Sequence, residues 1–208
     1  MQMNKLSSEK TRKLTITAML TAIVVVLQVV ANFVQPIPGV SITLVLVPVI
    51  LGAAIVGPLA GMWLGLVFGA TVLLLGGATM FLTVNPAGTI ITVLVKGMLA
   101  GLCAGLVFNL LKKINEYLAV FVAGIVCPVV NTGIFVLGCR LFFWDAIVNG
   151  NMTAKFSSFR DAGFASPFAY VVLGFAGINF LIELGVDMIL SPVIVRLLNI
   201  WRNKHQNG

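Results

Sequence analysis

Charge is scarce in this chain of 208 residues: Lys, Arg, Asp and Glu make up 9% of it. A soluble domain carries roughly 25%, because folding leaves a surface that water must wet. A soluble enzyme, a disordered regulator and a nucleic-acid-binding protein are excluded by that figure. Histidine is scarcer still. His205, in the polar tail, is the single one, so a histidine-based metal or catalytic centre has no raw material. Cys103, Cys127 and Cys139 show no CxxC spacing, and two of them sit inside apolar runs, which argues against a disulfide framework or a zinc site. A P-loop is missing, so the chain does not hydrolyse a nucleotide itself. An aspartate-rich lipid-transferase motif is missing too, and so is the long series of titratable groups that a proton relay needs. No cofactor is expected.

Apolar sequence fills the space instead. Hydrophobic residues make up 60% of the chain, and the mean hydropathy is +1.11. A helix spanning about 30 Å of hydrocarbon needs ~20 apolar residues. Six runs qualify as spans, at residues 14–34, 41–56, 59–75, 87–111, 117–137 and 166–198. The second is short, and Gly57-Pro58 forces a tight turn between it and the third. Residues 76–86 read as an uncharged loop. The sixth run exceeds what a bilayer requires, so it tilts or projects. The first is too long for the apolar region of a signal peptide and is followed by no small-residue cleavage site, so it is read as a retained helix. The fold class expected is an all-α, polytopic membrane bundle of six helices in one domain. A basic segment (1–13) precedes the bundle (14–198), and a polar tail (199–208) follows it.

Orientation follows from the basic residues. Lys5, Lys10, Arg12, Lys13, Lys112, Lys113, Arg196, Arg202 and Lys204 fall on one side of six crossings; Arg140, Lys155 and Arg160 fall on the other. The positive-inside rule places both termini in the cytoplasm. Trp144 and Trp201 fall at the expected interfaces, as aromatic belts do.

Small residues recur at four-residue spacing: Gly61, Gly65 and Gly69 in the third span, Gly97, Gly101 and Gly105 in the fourth, Ala18 and Ala22 in the first. Lipid tails are as apolar as leucine, so membrane helices associate by close packing of such residues. The glycine stripes read as intrachain packing. The alanine pair lies just after the basic segment, where a cytoplasm-facing partner could reach it.

Ionisable groups inside a span cost several kcal/mol unless paired or lining a cavity, roughly, and mark functional sites by default. Three occur: Lys96 in the fourth span, Glu183 and Asp187 in the sixth. Thr89 and Thr92 share the Lys96 face, Asn179 precedes Glu183 by one turn, and Asn131 lies in the fifth span. Together they could line a polar cavity open to the outside between the last three spans. Asn85 and Gln35, in the adjoining loops, complete the set of candidate ligand contacts. Two readings of Lys96 stand side by side: a buried salt bridge to Glu183, or a contact to an anionic ligand, with an empty-state pair that opens when a carboxylate arrives. Asp187 reads as structural or as part of a partner interface.

Several stretches resemble the substrate-binding S components of energy-coupling factor (ECF) vitamin importers of bacteria. Thr11-Arg12-Lys13-Leu14 leading into Ala18-Met19-Leu20-Thr21-Ala22 is similar to the family's basic start and AxxxA motif. Val47-Pro48-Val49-Ile50-Leu51-Gly52-Ala53-Ala54, then Gly57-Pro58-Leu59-Ala60-Gly61, is similar to its hinge between the second and third spans. Asn131-Thr132-Gly133-Ile134-Phe135 and Asn179-Phe180-Leu181-Ile182-Glu183 have family-like counterparts. The resemblance implies a subunit that captures a micronutrient from outside, roofed by the loops after spans one and three. The subunit then docks through Ala18 and Ala22 on a transmembrane T subunit bound to two ABC-type ATPases, toppling in the bilayer to deliver its cargo. Residues 36–40 and 76–86 would be the gates. The stretch around residues 41–53 looks most like the pantothenate branch, and the aspartates of the riboflavin branch are lacking. Cobalamin, a pyrimidine, another vitamin or a queuosine precursor are the alternatives. A small channel and a membrane enzyme are the competing classes.

Overall fold

In lipid a backbone must satisfy its own N–H and C=O groups, and a chain of apolar runs does so by forming helices. The computed structural model describes residues 2–33, 44–150, 158 and 160–206, and among these there are helices and no strands. Gln35, the turn at 36–40 and Lys155 lie outside the described residues, as do the side chains of Trp201 and His205.

Helix α1 (Gln2–Phe33) holds no Gly or Pro, so the basic segment is not a separate arm: it is the first turns of the same helix. Helices α2 (Leu46–Ile55) and α3 (Pro58–Leu74) are joined by the expected tight turn. Gly57 has φ +131°, a conformation open to glycine, and Pro58 sits in the first turn of α3, where its missing N–H has no partner to lose. The 76–86 stretch is more ordered than a bare loop. It folds into a short helix, α4 (Thr79–Leu82), started by Gly76 at φ +77° and by the Thr79 hydroxyl donating to the Gly76 carbonyl at 2.6 Å. Asn85 caps α5 (Pro86–Leu111), and Asn115 caps α6 (Glu116–Phe142), which runs five residues beyond the expected span end at 137. After α7 (Trp144–Asn149), the last run begins as α8 (Pro167–Ala169). It widens into a π-helical segment, Tyr170–Gly177, and continues as α9 (Ile178–Gln206), with a 41° bend between the two parts.

Three helices, α1, α5 and α6, are long and apolar enough to cross a membrane, and the bent final pair makes a fourth if it counts as one span. Helices α2 and α3 are apolar but shorter, at 10 and 17 residues.

The glycine stripes meet face to face. A Cβ on Gly65 would run into the Gly97 carbonyl, one on Gly101 into the Gly61 carbonyl, and one on Gly69 into that of Val93. Helices α3 and α5 therefore touch backbone to backbone. Replacing Gly97 by Ala forces the two helices apart and is expected to cost about 1–3 kcal/mol. Thermal unfolding in detergent reads this as a lowered midpoint. Gly133→Ala, whose new Cβ meets nothing within 4 Å, does not lower the midpoint, and the better helix former can raise it.

The interior has two apolar clusters. One joins Leu20, Val24, Ile50, Leu64, Phe68, Ala104, Phe108, Val120 and Ile194. The other, at the opposite end of α6, joins Cys139, Phe143, Ile147, Tyr170 and Val171, with Phe81, Phe135 and Phe175 packed on it. Between them α5, α6 and α9 carry polar side chains.

Candidate ligand site

Three helices build the polar layer. On α5, Thr89 and Thr92 are buried and Lys96 is half-buried. On α6, Asn131 is buried one turn after Cys127 of the first cluster and one turn before Phe135 of the second. On α9, Asn179 is half-buried, and Glu183 and Asp187 are buried, the latter 1% exposed. The π-helical segment ends at Gly177, two residues before Asn179. Wide turns of this kind are frequent at functional sites, and this one precedes the Asn179–Glu183 stretch on the same run.

The layer is knit across helices. Asn131 Nδ2 donates to Glu183 Oε2 at 3.4 Å. The Lys96 ammonium lies 5.4 Å from the centre of the Phe135 ring and within electrostatic range of Glu183. Gly138 is what lets Thr92 fit. A Cβ there would overlap the threonine side chain, so α5 and α6 close on each other at this level.

Three oxygens in the layer are left over, two of them on α5 and α6 beside Lys96 and Glu183 and the third on Asp187. A helical threonine ordinarily satisfies its hydroxyl on the carbonyl four residues earlier, as Thr15, Thr17, Thr21, Thr71 and Thr89 do at 2.7–3.0 Å. Thr92 does not: its Oγ1 is buried and has no hydrogen-bond partner, and the same holds for Asn131 Oδ1. An unsatisfied buried polar group costs about 1–3 kcal/mol. Buried orphans beside a cation and a carboxylate mark a place where another molecule can supply the missing bonds.

The sequence-derived residues do not all meet there. Asn85 is committed to its helix, its Oδ1 accepting from Gly88 N at 2.9 Å and its carbonyl from the Thr89 hydroxyl at 2.8 Å. Asp187 lies in the interior beside Gly124 and Ser191, whose hydroxyl donates to the Asp187 carbonyl at 2.7 Å; its Oδ2 is a further orphan. Sequence reading named the 76–86 stretch but not the aromatic cluster it joins. Phe81 of α4 stands edge-on to Phe135 at 5.5 Å, Phe143 at 5.1 Å and Phe175 at 5.5 Å, so the segment after α3 closes over the ring that lies against Lys96. It also missed Gln28 of α1, 5% exposed, with its Oε1 unpartnered. A lone glutamine in an apolar run was the available signal.

The profile described as "ECF transporter, substrate-specific component" matches residues 12–195. The chain belongs to that family. Its members are the substrate-binding subunits of micronutrient transporters and not enzymes, and they work with an energy-coupling module in the membrane. No curated protein and no solved structure matches the chain. As an S component it presents one further feature. Ala18 and Ala22 are exposed on α1, among exposed Leu14, Met19, Ile23 and Val26, so no helix among the described residues covers them. Thr21 lies three residues after Ala18, beside it on the helix, and its hydroxyl accepts the indole N–H of Trp63 of α3 at 3.2 Å, so α3 borders this face.

Proposed function

We propose that this S component captures a small water-soluble vitamin carrying a carboxylate, with pantothenate the first candidate. It delivers the vitamin inward together with a T subunit and two ABC-type ATPases. The carrying observation is the pair of unsatisfied buried oxygens, Thr92 Oγ1 and Asn131 Oδ1, set beside Lys96 between two apolar clusters. Pantothenate matches that chemistry: its carboxylate takes the ammonium, its hydroxyls reach Thr92, and its amide N–H or a hydroxyl donates to Asn131. Glu183 and Asn179 line the floor, with Thr89 above Thr92 on the same helix face; Asn85 and Gln35 belong to the mouth. Phe81 and the α4 segment form one gate and residues 36–40 the other. Six crossings with both termini in the cytoplasm fit the distribution of Lys and Arg.

Mass spectrometry of small molecules released from the purified, denatured chain tests the reading directly. Release of pantothenate in near-equimolar amount, and calorimetric binding of added pantothenate by the stripped chain, are the expected results. Release of cobalamin, a pyrimidine, a queuosine precursor or another vitamin lacking a carboxylate would reassign the ligand and remove Lys96's role. Ion flux through liposomes holding the chain alone would favour a channel instead.

A further inference from the structure

Helix α6 has a second working face. Asn131, Phe135 and Gly138 point into the bundle; Gly133, Leu137 and Arg140 lie about half a turn round, since two residues advance a helix by roughly 200°. There, between α6 and the start of the last helical run, a groove of about 470 Å³ is lined by Gly133, Leu137, Arg140, Trp144, Phe168 and Val171. That lies within the ~300–1,000 Å³ of small-molecule sites. The groove does not share the polar layer's side chains and faces away from them. Its rims are strongly exposed, Leu137 at 52% and Phe168 at 62%, so in a membrane it opens onto lipid.

The lining is apolar except at one end. Arg140 stacks over the Trp144 ring at 4.4 Å, and among the described residues its guanidinium has no carboxylate partner. The nearby Asp145 is engaged by Asn149 Nδ2 at 2.7 Å. Arg and Trp together at the end of an apolar groove match a membrane interface, where headgroup phosphate meets acyl chain. A water-soluble vitamin would leave its polar groups unpaired along such walls.

We infer that this groove binds one anionic phospholipid, an acyl chain lying over Gly133 between Leu137 and Phe168 and the phosphate paired with Arg140. Gly133 forms the floor because it has no side chain; a Cβ there meets nothing within 4 Å, so a larger side chain has the groove to enter. The inference is independent of which vitamin occupies the polar layer.

The full chain, reconstituted in nanodiscs of equal phosphatidylglycerol and phosphatidylcholine and then released into detergent for native mass spectrometry, provides the test. The unaltered chain is expected to retain one phospholipid, with phosphatidylglycerol in excess. Arg140→Gln should lower that excess about fivefold, the worth of one cation beside an anionic headgroup. Gly133→Leu should abolish retention of both lipids while leaving the thermal unfolding midpoint in lipid-free detergent unchanged. Retention of no lipid by the unaltered chain, equal retention of the two lipids, or retention by Gly133→Leu at the unaltered level would each overturn the assignment.

Discussion

Lys96→Met is expected to raise the Kd for the carboxylate ligand at least about thirtyfold while leaving the chain folded. Removing one partner from a desolvated, hydrogen-bonded charge pair costs about 2–5 kcal/mol, and each 1.4 kcal/mol is about tenfold in affinity. The ammonium lies inside the bundle, against the Phe135 ring and within reach of Glu183, so little water remains to screen it. A purely structural Lys96 predicts something else. Met would then leave Glu183 without its countercharge, lower the unfolding midpoint, and leave the Kd untouched. The double change Lys96→Met with Glu183→Gln separates the two, since it removes both charges together. If Lys96 meets the ligand, this variant regains thermal stability but not affinity. Calorimetry and thermal unfolding on the same three proteins give both readouts, and recovery of affinity by the double variant would end the ligand role of Lys96.

The second large effect concerns Ala22. With Ala18 and Ala22 proposed as the docking face for the T subunit, Ala22→Phe should reduce uptake by the assembled transporter at least about tenfold, because a bulky ring at a close-packed helix contact costs about 1–3 kcal/mol or more. Binding by the isolated chain should stay within about twofold. Ala22 is exposed and Ala18 lies one turn before it, so the ring projects from the outer face of α1. Exposed substitutions of that kind usually change stability by no more than about 0.5 kcal/mol. Uptake assays in cells and ligand binding on the purified protein distinguish docking from capture. Unchanged uptake in both Ala18→Phe and Ala22→Phe would place the docking surface elsewhere on the molecule.

Both predictions began as residues picked out of the sequence, and they were legible for different reasons. Lys96, Glu183 and Asp187 stand out because charge in an apolar run is rare and expensive. The glycine stripes were legible because four-residue spacing puts small residues on one helix face, and the α3–α5 contact uses them as that spacing implies. The Gly57-Pro58 turn was legible because each residue's backbone constraint suits one side of it. Other features left no local trace. Nothing in residues 76–86 marks Phe81 among fourteen phenylalanines as the one whose ring meets Phe135, Phe143 and Phe175. The continuity of the basic segment with α1 was obscured by its composition, which is polar but holds no helix breaker.

What the sequence determined by itself is the solvent: hydropathy and the paucity of charge demand helices in lipid, and the order of its motifs matches one family of importer subunits over nearly the whole chain. What only the tertiary structure decided is which polar atoms are already satisfied. Thr89 and Thr92 look alike in sequence, yet one hydroxyl closes on its own helix and the other is buried without a bond. The reason is physical. Hydrogen-bond satisfaction depends on which donors and acceptors packing brings within about 3 Å, and Thr92, packed against Gly138 of α6, is brought none.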